Sequence, residues 1–344
     1  MSAFSPTDAQ LARAGRDDRY DLPDRAGRPG RLAPEGSARI TRRITALALA
    51  LGVAMAVGKL WLFLLTGSVG VLATLVHSAL DITAAASSFV AVRISAREPS
   101  ATYRFGFGKA ESFSAVFQVC LIAVVAVHLF GTALEALGGE ALGTHEGHAH
   151  GAQDTAVGIG VLGVFSVLTL WLLIAQSWAI RATGSLAVRG DRAHYLADLL
   201  SNLLVIAGLA LAAFTDAHWA DALVGAVLAL WLLWTGFRVA RHAWAQLMDR
   251  ELPEDERKLI RARVMADPRV RSVTNLRSRA SGPHLHMQMR LELDPHLSLK
   301  DAHDVVVAAE SRLMGVFPAA DILIHPHPAG CAHVHGNTRF EVGG

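Results

Sequence analysis

The 344 residues carry 32 Lys and Arg against 30 Asp and Glu, a formal net charge of +2, and 52% are hydrophobic. Mean hydropathy is +0.35, high for a soluble protein. The basic residues punctuate apolar stretches and form no stripe, which excludes nucleic acid as a partner, and two cysteines in unlike contexts, Cys120 and Cys331, exclude a disulfide framework.

Residues 1–38 are rich in Arg, Asp, Gly and Pro and lack an apolar run, so they read as a disordered cytoplasmic tail and not as a cleaved signal. Beyond them no Lys or Arg occurs between Lys109 and Arg181 or between Arg192 and Arg238, and Lys59 stands alone between Arg43 and Arg93. One helical crossing needs about 20 residues, and six spans fit within residues 39–245: 44–66, 69–92, 111–137, 155–180, 186–214 and 219–242. Basic residues flank one set of ends (Arg39, Arg42, Arg43; Arg93, Arg97, Arg104, Lys109; Arg181, Arg189, Arg192; Arg238, Arg241), while the loops around Gly67, 140–154 and 215–217 have none. The positive-inside rule therefore places both termini in the cytoplasm of a multi-pass protein, expected in the inner (cytoplasmic) membrane of the cell. Lys59, two turns from Gly67, is expected to snorkel to the nearer interface, with a role in transport as the lesser alternative.

Residues 246–328 have the composition of a soluble domain. A helix is expected over 253–266 with Pro253 in its first turn, strands over 270–279 and 284–293 around the Ser281-Gly282-Pro283 turn, a helix over 298–314 capped by Ser298, and a short strand over 321–325. The α-β-β-α-β order is that of a small α+β sandwich of ferredoxin-like or metallochaperone-like type. Residues 329–344 form a His-containing flexible tail.

His77 with Asp81 and His194 with Asp198 lie inside apolar spans, each pair spaced i, i+4 and so on one helix face. A carboxylate at bilayer depth costs roughly 2.5–3.5 kcal/mol, so a chain that keeps two beside histidines uses them. Two imidazoles and two carboxylates make a tetrahedral zinc shell. Ala79, Ala84, Ala85, Ala86, Ala193 and Ala197 would let the two helices approach closely. Proton relay without metal, and plain hydrogen bonding within each pair, are the rival readings of these residues.

The chain resembles the cation diffusion facilitator family of metal/proton antiporters, closest to its bacterial zinc and iron efflux branch, over about residues 40–328. The resemblance rests on Gly67-Ser68-Val69 leading into Val76-His77-Ser78-Ala79-Leu80-Asp81, and on Arg104-Phe105-Gly106-Phe107-Gly108-Lys109-Ala110-Glu111. It also rests on Asp191-Arg192-Ala193-His194-Tyr195-Leu196-Ala197-Asp198 with Asn202, and on Leu247-Met248-Asp249-Arg250. It implies a homodimer in the lipid bilayer that exports Zn²⁺ against protons by alternating access. Its transport site would be His77, Asp81, His194 and Asp198, a two-His, two-Asp set associated with zinc over cadmium.

By the same resemblance His303 and His325 match ligand positions of a cytoplasmic metal cluster, and His327 stands where a bridging carboxylate is usual. Thr274 and Arg290 occupy the other two positions and are poor ligands, so at most one zinc per subunit is expected there, completed by His286, Cys331, His333 or His335. The loop 100–107 has none of the ligands that relatives use for another metal. Lys109 and Asp249 match a charge pair that links the membrane and cytoplasmic parts, and His145, Glu146, His148 and His150 read as a solvated outward spacer. The readings from other classes are a membrane-anchored metal sensor and an intramembrane zinc enzyme. The second would need an open coordination position and a general base, and no His-Glu-x-x-His occurs.

Overall fold

The computed structural model describes residues 28–66, 69–137, 152–212 and 218–331; several side chains within the helices, those of His77 and Asn202 among them, fall outside the described set. The tails 1–27 and 332–344, and the outward loop with His145, Glu146, His148 and His150, also lie outside it, as do His333 and His335. Two compact units emerge. One comprises Ala38–Arg181 and Ser185–Trp244; the other comprises Ala245–Gly344, the stretch ending at Ser37 and the link Ala182–Gly184.

The first unit is built from six long helices: α1 (Pro34–Thr66), α2 (Val69–Ser95), α3 (Ala110–Leu137), α4 (Ala152–Thr183), α5 (Leu186–Ala212) and α6 (His218–Leu247). Each of the six expected spans falls on one helix. Among the described residues Pro34–Trp61, Ala110–Glu135 and Gly163–Thr183 are long and apolar enough to cross a membrane. Their outer faces carry large apolar side chains open to the surroundings, such as Val124, Val127, Val167, Ile174 and Trp178. The interior is lined by small ones: Ala48, Ala84, Ala85, Ala115, Ala126, Ala187 and Ala229 are all fully buried. That inversion suits lipid, where apolar surface has no reason to hide and close backbone approach drives helix association.

Helix α5 is tied on several sides. A Cβ at Gly190 would stand 3.1 Å from Ala115 Cα of α3, so any larger residue would have to push the two backbones apart by a few tenths of an ångström. Tyr195 donates its hydroxyl to the Ala48 carbonyl of α1 at 2.9 Å, and Arg192 Nε donates to Ser177 Oγ of α4 at 2.8 Å. At its first turn, buried Glu111 of α3 accepts the Ser185 and Ser95 hydroxyls and the backbone N–H groups of Leu186 and Ala187. A carboxylate suits a helix N-terminus, where unpaired N–H groups and the dipole are both positive.

The carboxy-terminal unit has α7 (Glu254–Val264), β1 (Val270–Ser281), β2 (His284–Leu293), α8 (Leu299–Met314) and β3 (Ala320–Pro328). β1 and β2 pair antiparallel and β2 and β3 parallel, in the order β1-β2-β3. A bulge between Thr274 and Arg277 holds Asn275 at φ 50°. Leu259, Ile260, Val264, Leu285, Met287, Leu291, Val305, Leu313 and Phe317 form the core between the helices and the sheet. Ser298 caps α8, accepting the Asp301 N–H at 3.2 Å, whereas Pro253 is the N-cap of α7 and not its first residue. β3 runs three residues past the expected end because it is an edge strand, where Pro326 and Pro328 sacrifice no ladder bond.

The tail expected to be disordered to residue 38 is corrected over its described part. α1 starts at Pro34, and residues 28–31 are seated on the carboxy-terminal unit. Arg28 and Arg31 both donate to Glu256, which is 2% exposed, at 2.7–2.9 Å. The Arg31 guanidinium lies 4.4 Å from the Phe317 ring centroid, and the Gly30 N–H donates to the Pro283 carbonyl at 3.0 Å. Gly30 has φ +80°, and a Cβ there would overlap Leu285, so glycine is required twice over. Arg-rich composition suggests a solvated segment, but these arginines answer a buried carboxylate that is distant in sequence.

Candidate metal site

α5 brings His194 and Asp198 to one face, one turn apart, and α2 brings Asp81 to meet them. His194 Nε2 lies 3.3 Å from Asp81 Oδ1 and 3.6 Å from Asp198 Oδ2. The three side chains each offer a ligand atom within 4.8 Å of the others, and they are the one such group among the described residues. His194 is 2% exposed, and the two carboxylates are largely shielded. One ring nitrogen carries one proton or one lone pair, so it satisfies one carboxylate at a time; a divalent cation satisfies all three donors together. His77 belongs to α2, one helical turn before Asp81; its side chain is outside the described set.

Ala193 and Ala197, expected to ease the approach of the two ligand-bearing helices, face other helices instead. They pack on Ile122 and Ala126 of α3 and on Leu232 of α6, which leaves the His194–Asp198 face for α2.

Two further polar residues stand beside the cluster. Lys59 of α1 does not follow the snorkelling expectation: its ammonium donates to Ser78 Oγ at 2.6 Å, inside the turn between His77 and Asp81. Asp191, 1% exposed, accepts from Gln176 Nε2 of α4 at 2.7 Å and also from the Gln118 amide of α3. Its signal was in the sequence, since Asp191 precedes His194 by three and shares its face, and Gln118 and Gln176 are polar residues within apolar runs.

The cytoplasmic candidates are dispersed on the single chain. His303 is exposed on α8, and His325 and His327 alternate along β3 with ring centroids 6.3 Å apart. In register beside them on β2 stand Arg290, opposite both Thr274 and His325, and Glu292, opposite His327. Among the described residues these histidines join no third ligand. His286 Nδ1 faces Asp321 Oδ2 at 3.1 Å. Burial holds the neighbouring His284 below the usual imidazole range, with His286 adding to the effect. Asp249 takes the Arg279 guanidinium at 3.0 Å, and Lys109 immediately precedes α3.

A polytopic helical unit with a buried carboxylate-imidazole cluster, followed by a small α/β domain, defines a membrane carrier of cations. The comparisons place it further. Residues 45–248 match the cation efflux transmembrane domain, and residues 252–329 match the cation efflux protein cytoplasmic domain. The cation-efflux pump FieF of Cronobacter sakazakii (strain ATCC BAA-894) is 34% identical over 303 residues, 88% of this chain and 98% of that protein. FieF of Serratia proteamaculans (strain 568) is 34% identical over 305 residues, 89% of this chain and 98% of that protein. A solved CzrB structure (Zn form) is 28% identical, covering 25% of this chain and 99% of that one, with a TM-score of 0.23. The chain belongs to the cation efflux family. It is a multi-pass membrane transporter of divalent cations with a cytoplasmic carboxy-terminal domain, and not an enzyme.

Proposed function

We propose that the protein exports Zn²⁺ from the cytoplasm in exchange for protons, by alternating access, through a site made of His77, Asp81, His194 and Asp198. The convergence of Asp81, His194 and Asp198 within 4.8 Å carries the reading. Nitrogen and carboxylate oxygen in this proportion match zinc's preference for four borderline ligands. Coupling follows from the same atoms. Cargo needs a neutral imidazole and ionised carboxylates, so loading displaces protons and protonation from the outer side expels the ion.

The distribution of basic residues supports an inner-membrane topology with both termini cytoplasmic, and the cytoplasmic domain type supports a homodimer. On the same reading Lys109 and Asp249 form a charge pair linking the two parts of the chain. A zinc at His303, His325 and His327 would need these side chains drawn together and completed by His286, Cys331, His333 or His335, since among the described residues the three histidines do not converge on one point.

The test is ion uptake into proteoliposomes under an imposed pH gradient, with Zn²⁺, Cd²⁺, Fe²⁺ and Mn²⁺ compared and Asp198→Ala as control. Zinc flux with opposite proton movement, lost in the control, is the expected result. Full flux in the Asp198→Ala protein would remove the assigned site, and a metal preferred over zinc would replace the cargo.

A further inference from the structure

The carboxy-terminal end of α6 carries its cations on its outer surface. Trp234, Phe237, Arg238, Arg241 and Trp244 are all exposed, and steps of three and four residues set them along one stripe of the helix. The Arg238 guanidinium lies over the Trp234 ring, 4.9 Å from its centroid. Stacking uses the flat face of a guanidinium and leaves its N–H edges for an acceptor. The helix supplies none, since the one acid in α6 is Asp221, near its opposite end. Among the described residues no carboxylate pairs with Arg238 or Arg241. A similar stack occurs at Arg93 on Phe89, but α2 ends at Ser95 before another basic residue. The α6 stripe therefore joins two unpaired guanidiniums, one turn apart, to a tryptophan on either side.

We propose that Trp234, Arg238, Arg241 and Trp244 form a binding site for the phosphate of an anionic lipid, such as phosphatidylglycerol, in the cytoplasmic leaflet. The proposal rests on α6 crossing the bilayer with its carboxy-terminal end towards the cytoplasm, and not on the identity of the cargo. Trp234 to Trp244 covers about 15 Å of helix, enough to pass from the edge of the hydrocarbon through the headgroup layer. Two guanidinium forks offer charge-assisted hydrogen bonds to one phosphodiester. The tryptophans suit the same level, where an amphipathic ring has one side in the acyl chains and the other in water, and Phe237 extends the apolar side. Two positive charges around one phosphate attract an anionic headgroup and repel the choline of a zwitterionic one. A headgroup held there fixes the depth of α6 in the leaflet.

The test is native mass spectrometry of the full-length protein in detergent, titrated with phosphatidylglycerol or phosphatidylcholine of matched chains. It reads the ratio of the two affinities. The parent should prefer phosphatidylglycerol about 30-fold, since each arginine near an anionic headgroup is worth about fivefold. Arg238→Gln should cost about fivefold, and the protein with both Arg238→Gln and Arg241→Gln should bind the two lipids about equally. Trp234→Leu keeps both charges and unseats the guanidinium, at a cost of about threefold. Arg238→Lys keeps the charge and loses the fork; it should fall with Trp234→Leu, and it carries the test if the glutamine variants do not insert. Arg104→Gln removes the same charge from the loop between α2 and α3, and should leave the ratio within about twofold of the parent. A parent without preference, or an Arg104→Gln protein as impaired as Arg238→Gln, would overturn the proposal. Displacement of the lipid by inorganic phosphate at equal concentration would replace it with a site for free anions. An Arg241→Cys protein that cross-links to a second copy through that cysteine would give this face to the protein's own partner instead.

Discussion

The histidines of the membrane unit and those of the cytoplasmic unit are held in opposite ways. His194 is buried, one turn from Asp198 on the same helix, and it meets Asp81 from a second helix. His303 and His325 are exposed, and the β3 histidines have a guanidinium and a carboxylate as strand neighbours. Ligand-type residues become a site when separate elements converge on one point and exclude the water that competes for it. The acids of the membrane unit divide on similar lines. Glu111 and Asp191 are surrounded by neutral donors from serines, glutamines and backbone N–H groups, the pattern of carboxylates that fasten helices. Asp81 and Asp198 share one imidazole, the pattern of carboxylates that await a cation.

The largest effect that tests this contrast is Asp81→Asn, which keeps the shape and removes the charge. Zinc flux should fall at least about 100-fold, since even the outer partners of metal ligands are worth 10–100-fold. His325→Ala, by contrast, should leave flux within about twofold, because this exposed imidazole of β3 is not among the ligands of the transport site. Parallel uptake assays on the two variants check the ranking, and equal losses would erase the distinction between the two regions.

Two changes away from the ligands come next. Gly190→Ala puts a methyl group 3.1 Å from the Ala115 backbone, which must separate α3 from α5 at a cost of roughly 1–3 kcal/mol. The variant should melt at lower temperature in detergent and carry less zinc, and a wild-type melting curve would show that α5 is not held by that contact. In the cytoplasmic unit, Glu256→Gln leaves Arg28 and Arg31 without their shared carboxylate. The expected cost is about 2 kcal/mol, below that of a fully buried pair because the arginines can turn to water. It should be read as faster hydrogen exchange over residues 28–33 and α7. Unaltered exchange there would mean that the backbone bond at Gly30 and the Phe317 stack suffice.

What the sequence makes legible follows the range of the interactions. The six helices and the Ser298 cap are local events: unbroken apolar length between basic residues announces the helices, and one capping oxygen announces the start of α8. The His-x-x-x-Asp pairs are likewise legible, since i, i+4 spacing fixes a shared face. The Arg28–Glu256 seat is hidden, because its partners are 228 residues apart and Arg next to Gly and Pro reads as solvent. The aim of Lys59 is hidden for a similar reason: snorkelling and pointing inward leave the same trace in one helix, and only packing of α1 beside α2 chooses between them. The apolar run of β3 marks only residues 321–325, and the edge position that lets the strand run on through Pro326 to Pro328 is a property of the whole sheet.

The smallest effect separates the two units by pH. Asp267 is buried in the turn between α7 and β1; it accepts from the Arg269 guanidinium at 2.9–3.0 Å and lies 3.9 Å from Arg312 of α8. The Arg269 hydrogen bond, outweighing desolvation, holds its carboxyl below the usual carboxylate range, with Arg312 adding a smaller pull. A depressed folded pKa stabilises the fold at pH above the unfolded value, near 4, and that stabilisation is lost as pH falls through the folded value. Asp267→Asn should therefore cost up to about 1 kcal/mol at neutral pH, Arg269 being half open to water, and nothing once Asp267 itself is protonated. Hydrogen exchange of β1 and α8 in the full chain, followed from pH 7 downward with correction for the intrinsic rate, should show the parent converging on the variant in acid. Curves that stay parallel would move the acid response to another carboxylate, with Asp255 beside Arg28 next in line, since that pair also holds an acid below its ordinary range.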